Sequence, residues 1–380
     1  MRTFNGWSNI AAGCALALAS LHATAQKTPR TFIVAGYVFT QNRPLAPDQV
    51  DARALTRINY AFAVIRDGRM VEGSPVDAGN LAVLTGLRTQ NPSLQVLISV
   101  GGWLGSDAFS DVALTAESRA KFVASAVDFL RRYNLDGLDV DWEYPGMAGA
   151  GHVFRPEDKQ NFTLLLRDLR ARFDREEKSF PRKLLLTIAA GASGDYLAHT
   201  AMDEAQGYVD TVNLMSYDFA MPSAGARTDH NAPLYADPDA PGPLSVDASV
   251  RALVRAGVPS RKILLGVPFY GQLWGRVANQ NHGLFQAGNP VPGVLASFDA
   301  IQQTMLGHGF ARYWDQAAGV PYLYNPATQE FVSYDDAQSI GLKCAYVQAQ
   351  RLGGVMFWQS LDDSSGKLVE AINGALSRRP

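Results

Sequence analysis

Short, almost wholly apolar runs recur along the chain and alternate with longer segments in which apolar residues repeat every three or four positions. Apolar runs of this length, bounded by polar residues, are typical of buried strands. Such runs occupy residues 31–39, 58–65, 94–100, 184–189, 209–217, 263–268 and 354–358, and residues 135–146 form a further predicted strand in which polar and apolar residues alternate. The helical period predicts helices at residues 117–133, 157–176, 246–256 and 366–376.

This alternation predicts an α/β protein in which a parallel sheet is covered by helices. Eight strands in one chain favour a closed (β/α)8 TIM barrel, predicted over residues 30–380. The competing fold is a doubly wound open sheet. That fold normally carries a glycine-rich phosphate loop after its first strand, and the residues that follow the first run are Gly36, Tyr37, Val38 and Phe39.

Residues 271–335 differ in pattern from the rest of the chain, because they are rich in aromatic residues and lack the apolar repeat that is typical of helices. Two aromatic-rich stretches, 310–314 and 322–334, and a turn at residues 325–328 are typical of hairpins. The sequence therefore predicts a small α+β insertion domain between the seventh and eighth barrel strands.

The run at 135–146 carries three carboxylates, Asp139, Asp141 and Glu143, with one apolar residue between each pair. Strict alternation predicts a strand that directs the three acids to one face, about 6.6 Å apart along the strand. Like charges at this spacing and burial both raise a carboxyl pKa, so we expect one of the acids to keep its proton near neutral pH, as general acid catalysis requires.

Two other interpretations of this acidic run are weaker. A solvated loop would not interleave its acids with leucine, valine and tryptophan. A calcium-binding EF-hand loop needs a glycine at its sixth position, and counting from Asp136 or Asp139 places Asp141 or Tyr144 there.

Composition places the chain among ordinary soluble globular proteins. It has 380 residues, of which 47% are hydrophobic and 18% charged, and its net charge is −2. Because there is no basic surplus, nothing in the charge indicates nucleic acid or an anionic membrane as a partner.

Residues 1–25 have the pattern of a cleaved secretory signal peptide. Arg2 precedes an apolar run, and Ala23 and Ala25 form a small-x-small cleavage site, so we expect cutting after Ala25 and a secreted or periplasmic protein without a membrane anchor. Cys14 allows lipid attachment as an alternative, although most of the apolar run follows this cysteine. After cleavage Cys344 is the remaining cysteine, so the mature chain is expected to form no internal disulfide.

Polar and aromatic residues cluster where the predicted strands end, which is where barrel enzymes build their active sites. Rings beside carboxylates suit a sugar and the chemistry of glycoside hydrolysis. The candidate substrate contacts are Tyr37, Phe62, Ser99, Gly102, Trp103, Trp142, Met215, Asp218, Tyr270, Gln272 and Trp358. Trp103, Trp142, Trp274 and Trp358 are candidate stacking platforms. Taken singly, Tyr37, Ser99, Met215 and Trp358 have structural explanations; their coincidence at successive strand ends favours a site.

The strand-end motifs resemble those of glycoside hydrolase family 18, the chitinase-like family. The run from Asp136 to Glu143 resembles its D-G-x-D-x-D-x-E signature. Further matches are Ser99-Val100-Gly101-Gly102, Met215-Ser216-Tyr217-Asp218, Phe269-Tyr270-Gly271 and Trp358, and the insertion is similar to the chitinase insertion domain. The chain departs from the pattern at Gln272, where many members carry arginine, and this puts one substrate contact in doubt.

The resemblance implies a retaining, substrate-assisted reaction that needs no metal or cofactor. Glu143 would be the general acid and then the base, and Asp141 would orient the N-acetyl group of the substrate between Asp139 and Glu143. The acetamide oxygen would attack the anomeric carbon to form an oxazolinium ion, and Tyr217 would donate a hydrogen bond to the acetamide.

The resemblance also implies the supporting residues. Asp218 would contact the distorted sugar at the cleavage subsite and Trp358 would form its floor, while Tyr37 and Ser99 would support the aspartates. The expected partner is an N-acetylglucosamine-containing polysaccharide or oligosaccharide bound by a monomer.

Two alternatives remain beside chitin hydrolysis. A lectin-like binder would have no use for Glu143. An endo-β-N-acetylglucosaminidase acting on glycoprotein glycans would share the acidic signature, and the insertion favours chitin over that substrate.

Overall fold

The computed structural model describes residues 32–294 and 296–378, which form two β-sheets and surrounding helices. The strands are β1 Ile33–Phe39, β2 Arg57–Arg66, β3 Arg69–Glu72, β4 Gln95–Gly101, β5 Gly137–Asp141, β6 Leu185–Gly191, β7 Thr211–Met215, β8 Ile263–Pro268, β9 Tyr270–Gly275, β10 Asn289–Pro290, β11 Ala296–Ser297, β12 Ala311–Asp315, β13 Val320–Asn325, β14 Glu330–Ser333 and β15 Gly354–Trp358. The helices are α1 Asp77–Gly86, α2 Phe109–Leu114, α3 Ala116–Arg132, α4 Asp158–Glu176, α5 Gly194–Ala198, α6 Met202–Ala205, α7 Val246–Arg255, α8 Phe298–Ala300, α9 Ala337–Ala349 and α10 Lys367–Ser377.

The first sheet is a closed barrel of parallel strands. Its order is β1-β15-β8-β7-β6-β5-β4-β2, and β1 also pairs with β2, which closes the ring. The short strand β3 adds to β2 in the antiparallel sense. The predicted (β/α)8 TIM barrel is therefore confirmed, and the open doubly wound sheet is excluded because β1 has a neighbour on both sides.

Helix α3 shows how the sequence builds the outer layer. The Thr115 side chain accepts a hydrogen bond from the Ser118 backbone N–H, which begins the helix. Phe122, Ala126 and Leu130 form one stripe, and all three are fully buried against the outward face of the barrel. Burying a large apolar side chain of this kind stabilises the fold by about 1.5–3 kcal/mol.

The inside of the barrel is unusual because one part of it is polar. Ala35, Tyr37, Leu264 and Met356 form a small apolar cluster on one side. Polar side chains on the other strands are also fully buried, namely Asn59, Ser99, Asp139, Thr187 and Asn213. Buried polar groups need hydrogen-bond partners, and Ser99, Thr187 and Asn213 find theirs in a network centred on Asp139 beneath the site.

The second sheet lies between β8 and β15 in the chain, as the predicted fold requires. It is antiparallel with the order β10-β9-β14-β13-β12, and β11 also pairs with β9. Its core contains Trp274, Tyr324 and Phe331. The turn predicted at 325–328 joins β13 to β14, with Asn325 Oδ1 accepting from the Ala327 N–H at 3.0 Å. The bounds 271–335 of this insertion as a domain stay a prediction.

Several elements differ from the sequence-based prediction. Strand β5 ends at Asp141, so Glu143 lies in the following loop rather than in a longer alternating strand. Strand β3 and helices α1, α2, α5, α6 and α9 were not predicted. Helix α9 has a capping signal, since Asp336 accepts from the Ser339 N–H, but its buried face includes the polar residues Ser339 and Lys343, which interrupt the apolar period.

The predicted signal peptide at 1–25, including Cys14, lies outside the described residues. No helix within 32–294 or 296–378 has the length and apolar character needed to cross a membrane. Cys344 is buried in helix α9.

Candidate active site

A cavity of about 850 Å³ opens at the carboxyl ends of the barrel strands. Predicted residues that line it are Tyr37, Phe62, Trp103, Asp141, Glu143, Met215, Tyr217, Asp218, Tyr270 and Trp358. Strands β1, β2, β5, β7 and β15, with the loops that follow β4, β5 and β7, thus bring most of the predicted site together. Its size suits a few sugar rings rather than a small metabolite.

Asp139 lies beneath the cavity and is fully buried. Tyr37 and Ser99 donate hydrogen bonds to its Oδ2 at 2.7 and 2.9 Å, and Thr187 and Asn213 donate to its Oδ1. Burial raises the pKa of Asp139, and the hydroxyls of Thr187, Tyr37 and Ser99 oppose that rise by stabilising the ionised form. Asp139 is therefore fixed in place by four side-chain hydrogen bonds and does not line the cavity.

Asp141 has the opposite surroundings, although it is next on the same strand face. Among the described residues, none forms a hydrogen bond with its buried Oδ1. Burial raises the pKa of Asp141 well above its ordinary value, and the nearby charges of Glu143 and Asp139 raise it further. Asp141 thus has a buried carboxyl oxygen that is open to a further hydrogen-bond donor.

Glu143 lies two residues beyond the end of β5, where its backbone is anchored. Its N–H donates to Ser106 Oγ at 2.9 Å, and the same hydroxyl donates to the Gly102 and Asp141 carbonyl oxygens. Burial raises the pKa of Glu143 to about 7; a hydrogen bond from Tyr144 lowers it, and the charge of Asp218 raises it. A glutamic acid with this pKa serves as acid and base near neutral pH.

A second group of polar residues faces Glu143 across the cavity. Tyr270 Oη and Gln272 Nε2 both donate to Asp218 Oδ1 at 2.7 Å. Burial raises the pKa of Asp218, and these two donors oppose the rise. Tyr217 is next to Asp218, and burial together with the surrounding carboxylates raises the pKa of its hydroxyl, which stays a hydrogen-bond donor.

The floor of the cavity is aromatic. The Trp358 ring stacks on Phe62 with centroids 5.6 Å apart and also contacts Tyr37 and Phe39. Gly102 lies against the Phe62 ring of this floor. Its φ is 78° and a Cβ there would lie 2.5 Å from the ring, so this position requires glycine. At the mouth, Trp103 is 49% exposed. Flat rings at these positions can stack on the apolar faces of sugars.

Three predicted residues support the site without lining the cavity. Ser99 donates a hydrogen bond to Asp139, and Gln272 donates one to Asp218. Gly102 leaves room for the Phe62 ring, and its N–H donates to the Asp141 carbonyl oxygen of β5. Gln272, the residue that departs from the family pattern, therefore affects the hydrogen bonding of Asp218.

Two tryptophans predicted as sugar platforms lie elsewhere. Trp142 is 3% exposed and stacks on Phe109 at 5.2 Å, in the core between the barrel and its helices. Trp274 is 0% exposed and packs edge-on against Phe331 within the second sheet. Neither ring is accessible to a ligand, because Trp142 shares the core-facing side of Leu138 and Val140, opposite the acids, and Trp274 is covered by its own sheet.

Sequence reasoning missed the residues that hold the acids in place. Thr187 and Asn213 bind Asp139, Ser106 anchors Glu143, and Tyr144 lowers the pKa of Glu143. Thr187 and Asn213 carried a signal, since each is a polar residue at an inward position of an otherwise apolar strand.

This geometry brings together a glutamic acid with a pKa of about 7, a second buried carboxyl group beside it, a phenol donor and an aromatic floor, an arrangement typical of glycoside-cleaving barrel enzymes. Residues 33–363 match the model of glycosyl hydrolases family 18. The chain therefore belongs to glycosyl hydrolases family 18, and it is an O-glycosyl hydrolase by class.

Known relatives agree with the family. Chitinase A1 of Niallia circulans is 43% identical over 316 residues, which are 79% of this chain and 45% of that protein, so the chain spans less than half of that relative. Chitotriosidase-1 of Mus musculus is 35% identical over 84% of this chain and 70% of that protein. The solved family 18 N-acetylglucosaminidase from Paenibacillus barengoltzii has a TM-score of 0.82 and 42% identity, covering 91% of this chain and 100% of that one.

Proposed function

We propose that this protein is a chitinase that hydrolyses β-1,4 linkages between N-acetylglucosamine units of chitin or chitooligosaccharides, with retention at the anomeric carbon and the substrate's own acetamide as nucleophile. One observation carries the mechanism: Asp141, buried between Asp139 and Glu143, has an Oδ1 that no described residue satisfies. A substrate acetamide N–H is a fitting partner for this oxygen.

In the first step the proton of Glu143 moves to the glycosidic oxygen as the bond to the anomeric carbon breaks. The acetamide oxygen of the same sugar forms a new bond to that carbon, which gives an oxazolinium ion and releases the leaving sugar as an alcohol. Asp141 accepts a hydrogen bond from the acetamide N–H, and its negative charge stabilises the cation. Tyr217 donates to the acetamide oxygen and holds it in line.

In the second step Glu143, now ionised, removes a proton from water. The water oxygen attacks the anomeric carbon from the side of the departed sugar and the oxazolinium ring opens, which regenerates the acetamide. Two inversions give net retention. The pKa of Glu143 near 7 suits both directions of proton transfer.

The surroundings of Asp139 argue against an enzyme nucleophile at that position. Asp139 accepts hydrogen bonds from Tyr37, Ser99, Thr187 and Asn213 and does not line the cavity. A carboxylate held in this way cannot reach an anomeric carbon. Together with the unsatisfied Oδ1 of Asp141, which suits an acetamide N–H, this favours the acetamide as the attacking group, so substrates without an N-acetyl group should react poorly.

A second candidate is the release of single N-acetylglucosamine units. It is favoured by the similarity to the Paenibacillus barengoltzii enzyme, whose alignment covers that whole chain. Cleavage of glycoprotein glycans by an endo-β-N-acetylglucosaminidase reaction is a further alternative with the same acids. A non-catalytic lectin is disfavoured because Glu143 is present with a raised pKa.

The deciding experiment is a product profile from defined N-acetylglucosamine oligomers, with a high-mannose glycopeptide beside them. Internal cuts support chitinase action, monosaccharide alone supports the second candidate, and glycan release from the glycopeptide alone overturns both. A thiazoline analogue of the oxazolinium ion should inhibit strongly. Full activity in its presence would contradict substrate assistance.

We also propose that the protein is exported after cleavage at Ala25, as the pattern of residues 1–25 indicates. Mass spectrometry of the protein recovered outside the cytoplasm should give a chain that begins at Gln26. A chain that keeps residues 1–25 would contradict this.

A further inference from the structure

A buried arginine lies at the bottom of the barrel, on the opposite side of Asp139 from the cavity. Arg57 is the first residue of β2 and is 2% exposed. Among the described residues, no carboxylate forms an ion pair with it. A buried unpaired charge costs several kcal/mol, so its presence needs a compensating interaction.

A chain of buried hydrogen bonds joins Arg57 to Asp139. Arg57 Nη1 donates to Thr211 Oγ1 at 2.8 Å, and Thr211 Oγ1 donates to Asn213 Oδ1 at 3.4 Å. Asn213 Nδ2 then donates to Asp139 Oδ1 at 2.9 Å and to Tyr37 Oη at 3.1 Å. Every donor points the same way, from the cation to the carboxylate, and such aligned bonds strengthen one another.

We propose that Arg57 is a positioning residue that supplies the counter-charge of Asp139 and, through Thr211 and Asn213, keeps Asp139 ionised. This inference rests on the proposed function, because it concerns the charges of the catalytic acids. Arg57 itself touches neither the cavity nor the substrate.

The charged groups around Arg57 and Asp139, at the two ends of the hydrogen-bond chain, support this assignment. Arg57 faces Asp139 on β5, Asp210 before β7 and Tyr37 on β1. Asp210 already pairs with Arg170 and Lys183. Because these two cations already neutralise Asp210, Asp139 is the carboxylate that the charge of Arg57 stabilises.

Asp139 and Asp141 meet further ionisable groups on the cavity side. Asp141 faces Glu143 and Asp139 together with the phenols of Tyr37 and Tyr217. Tyr144 and Tyr196 also face Asp141. All of these groups are acids, whereas Arg57 is a cation. Its positive charge lowers the pKa of Asp139 and so opposes the rise that burial produces. Removing it should raise the apparent pKa values of the whole set of acids, which titrate together.

The test compares pH profiles of kcat/KM on N-acetylglucosamine oligomers. Arg57→Met keeps the bulk and removes the charge, so the acid limb should move up by about 1 pH unit. Arg57→Lys restores the charge and should return the limb towards that of the wild type. Thr211→Val keeps the charge of Arg57 but breaks the hydrogen-bond chain. The acid limb should therefore also move to higher pH, by a smaller amount.

Arg88 provides the matched control, since it forms an ion pair with Asp136 at 2.6 Å away from the cavity. Arg88→Met should lower Tm without moving the acid limb. An acid limb of Arg57→Met or Thr211→Val that coincides with that of the wild type overturns the proposal.

A double-mutant cycle in Tm gives a readout that does not depend on activity. The loss of Tm caused by Arg57→Met should be smaller in the Asp139→Asn background, because the charge that Arg57 compensates is then absent. Additive losses overturn the proposal. If the wild-type protein releases no product from any oligomer, the proposed function fails, and this cycle still decides the role of Arg57.

Discussion

The side-chain amide of Gln272 donates to the same oxygen of Asp218, Oδ1, that the Tyr270 hydroxyl occupies, at 2.7 Å. These two bonds hold the Asp218 side chain, which lines the cavity. Because the amide is neutral, the negative charge of Asp218 remains and raises the pKa of Glu143. The residue at 272 therefore influences the general acid through Asp218.

Replacing Gln272 by leucine should lower kcat/KM by about tenfold, because a hydrogen bond to a charged group contributes about 1.5 kcal/mol. The loss of this donor also raises the pKa of Asp218, so the decrease should be larger at acidic pH. Steady-state kinetics on a chitooligosaccharide at several pH values measures both effects. Gln286→Leu is the control, since its amide contacts the Leu284 carbonyl oxygen in the segment between β9 and β10; equal losses in the two variants would contradict the role of Gln272.

The basic limb of the pH profile should report Glu143, which must be protonated to act as the acid. With a pKa of about 7, kcat/KM should fall as the pH rises through 7. Asp218→Asn removes a charge that raises this pKa and should move the limb to lower pH. Tyr144→Phe removes a hydrogen bond that lowers it and should move the limb to higher pH. Shifts of the same sign in both variants would refute this account of the pKa.

The inward-facing parts of the site were predictable from local alternation. Asp139 and Asp141 keep the strand period, and their inward direction follows from their position on β5. The same rule identifies Thr187 and Asn213, because a polar residue within an apolar strand has to find partners inside the barrel. The barrel itself follows from the repeated alternation of apolar runs and amphipathic helices.

The two tryptophans that do not reach the cavity differ in what the local pattern shows. Trp142 keeps the alternation of Leu138 and Val140, opposite the acids, so the sequence period itself directs it into the core, where it packs between Phe109 and Phe162. Trp274 is on the same side of β9 as Gln272, but Phe331 of β14 covers it. For Trp274 the tertiary partner, which no local pattern shows, decides that the ring is inaccessible.

Glu143→Gln should abolish turnover while oligosaccharide binding remains. The amide keeps the shape of the side chain but holds no transferable acidic proton, and losing a general acid lowers the rate by about 10² to 10⁴. Turnover is measured on a chitooligosaccharide and binding by calorimetry. Glu157→Gln is the control on an exposed residue of the following loop. Near-wild-type turnover in Glu143→Gln would exclude Glu143 as the acid.

Asp141→Asn should lower kcat on N-acetylglucosamine oligomers far more than it raises KM. Asparagine can still contact the acetamide but carries no charge, so it does not stabilise the oxazolinium cation. The expected decrease is about 10²-fold, similar to the removal of one preorganised electrostatic group at a reacting centre. An unchanged kcat would argue against assistance by the acetamide and in favour of a covalent enzyme intermediate.

The two tryptophans Trp358 and Trp274 offer a direct comparison of an accessible ring with a covered one. Trp358 lines the cavity and stacks on Phe62, so Trp358→Ala should raise KM and lower kcat/KM by at least about tenfold, since it removes a sugar-stacking surface. Trp274 is fully buried in the second sheet, and truncating a buried aromatic side chain costs about 3–5 kcal/mol. Trp274→Ala should therefore lower Tm strongly and leave KM unchanged for the folded fraction. The measurements are thermal unfolding and kinetics below the lower Tm. A raised KM in Trp274→Ala with an unchanged KM in Trp358→Ala would reverse the assignment of the two rings.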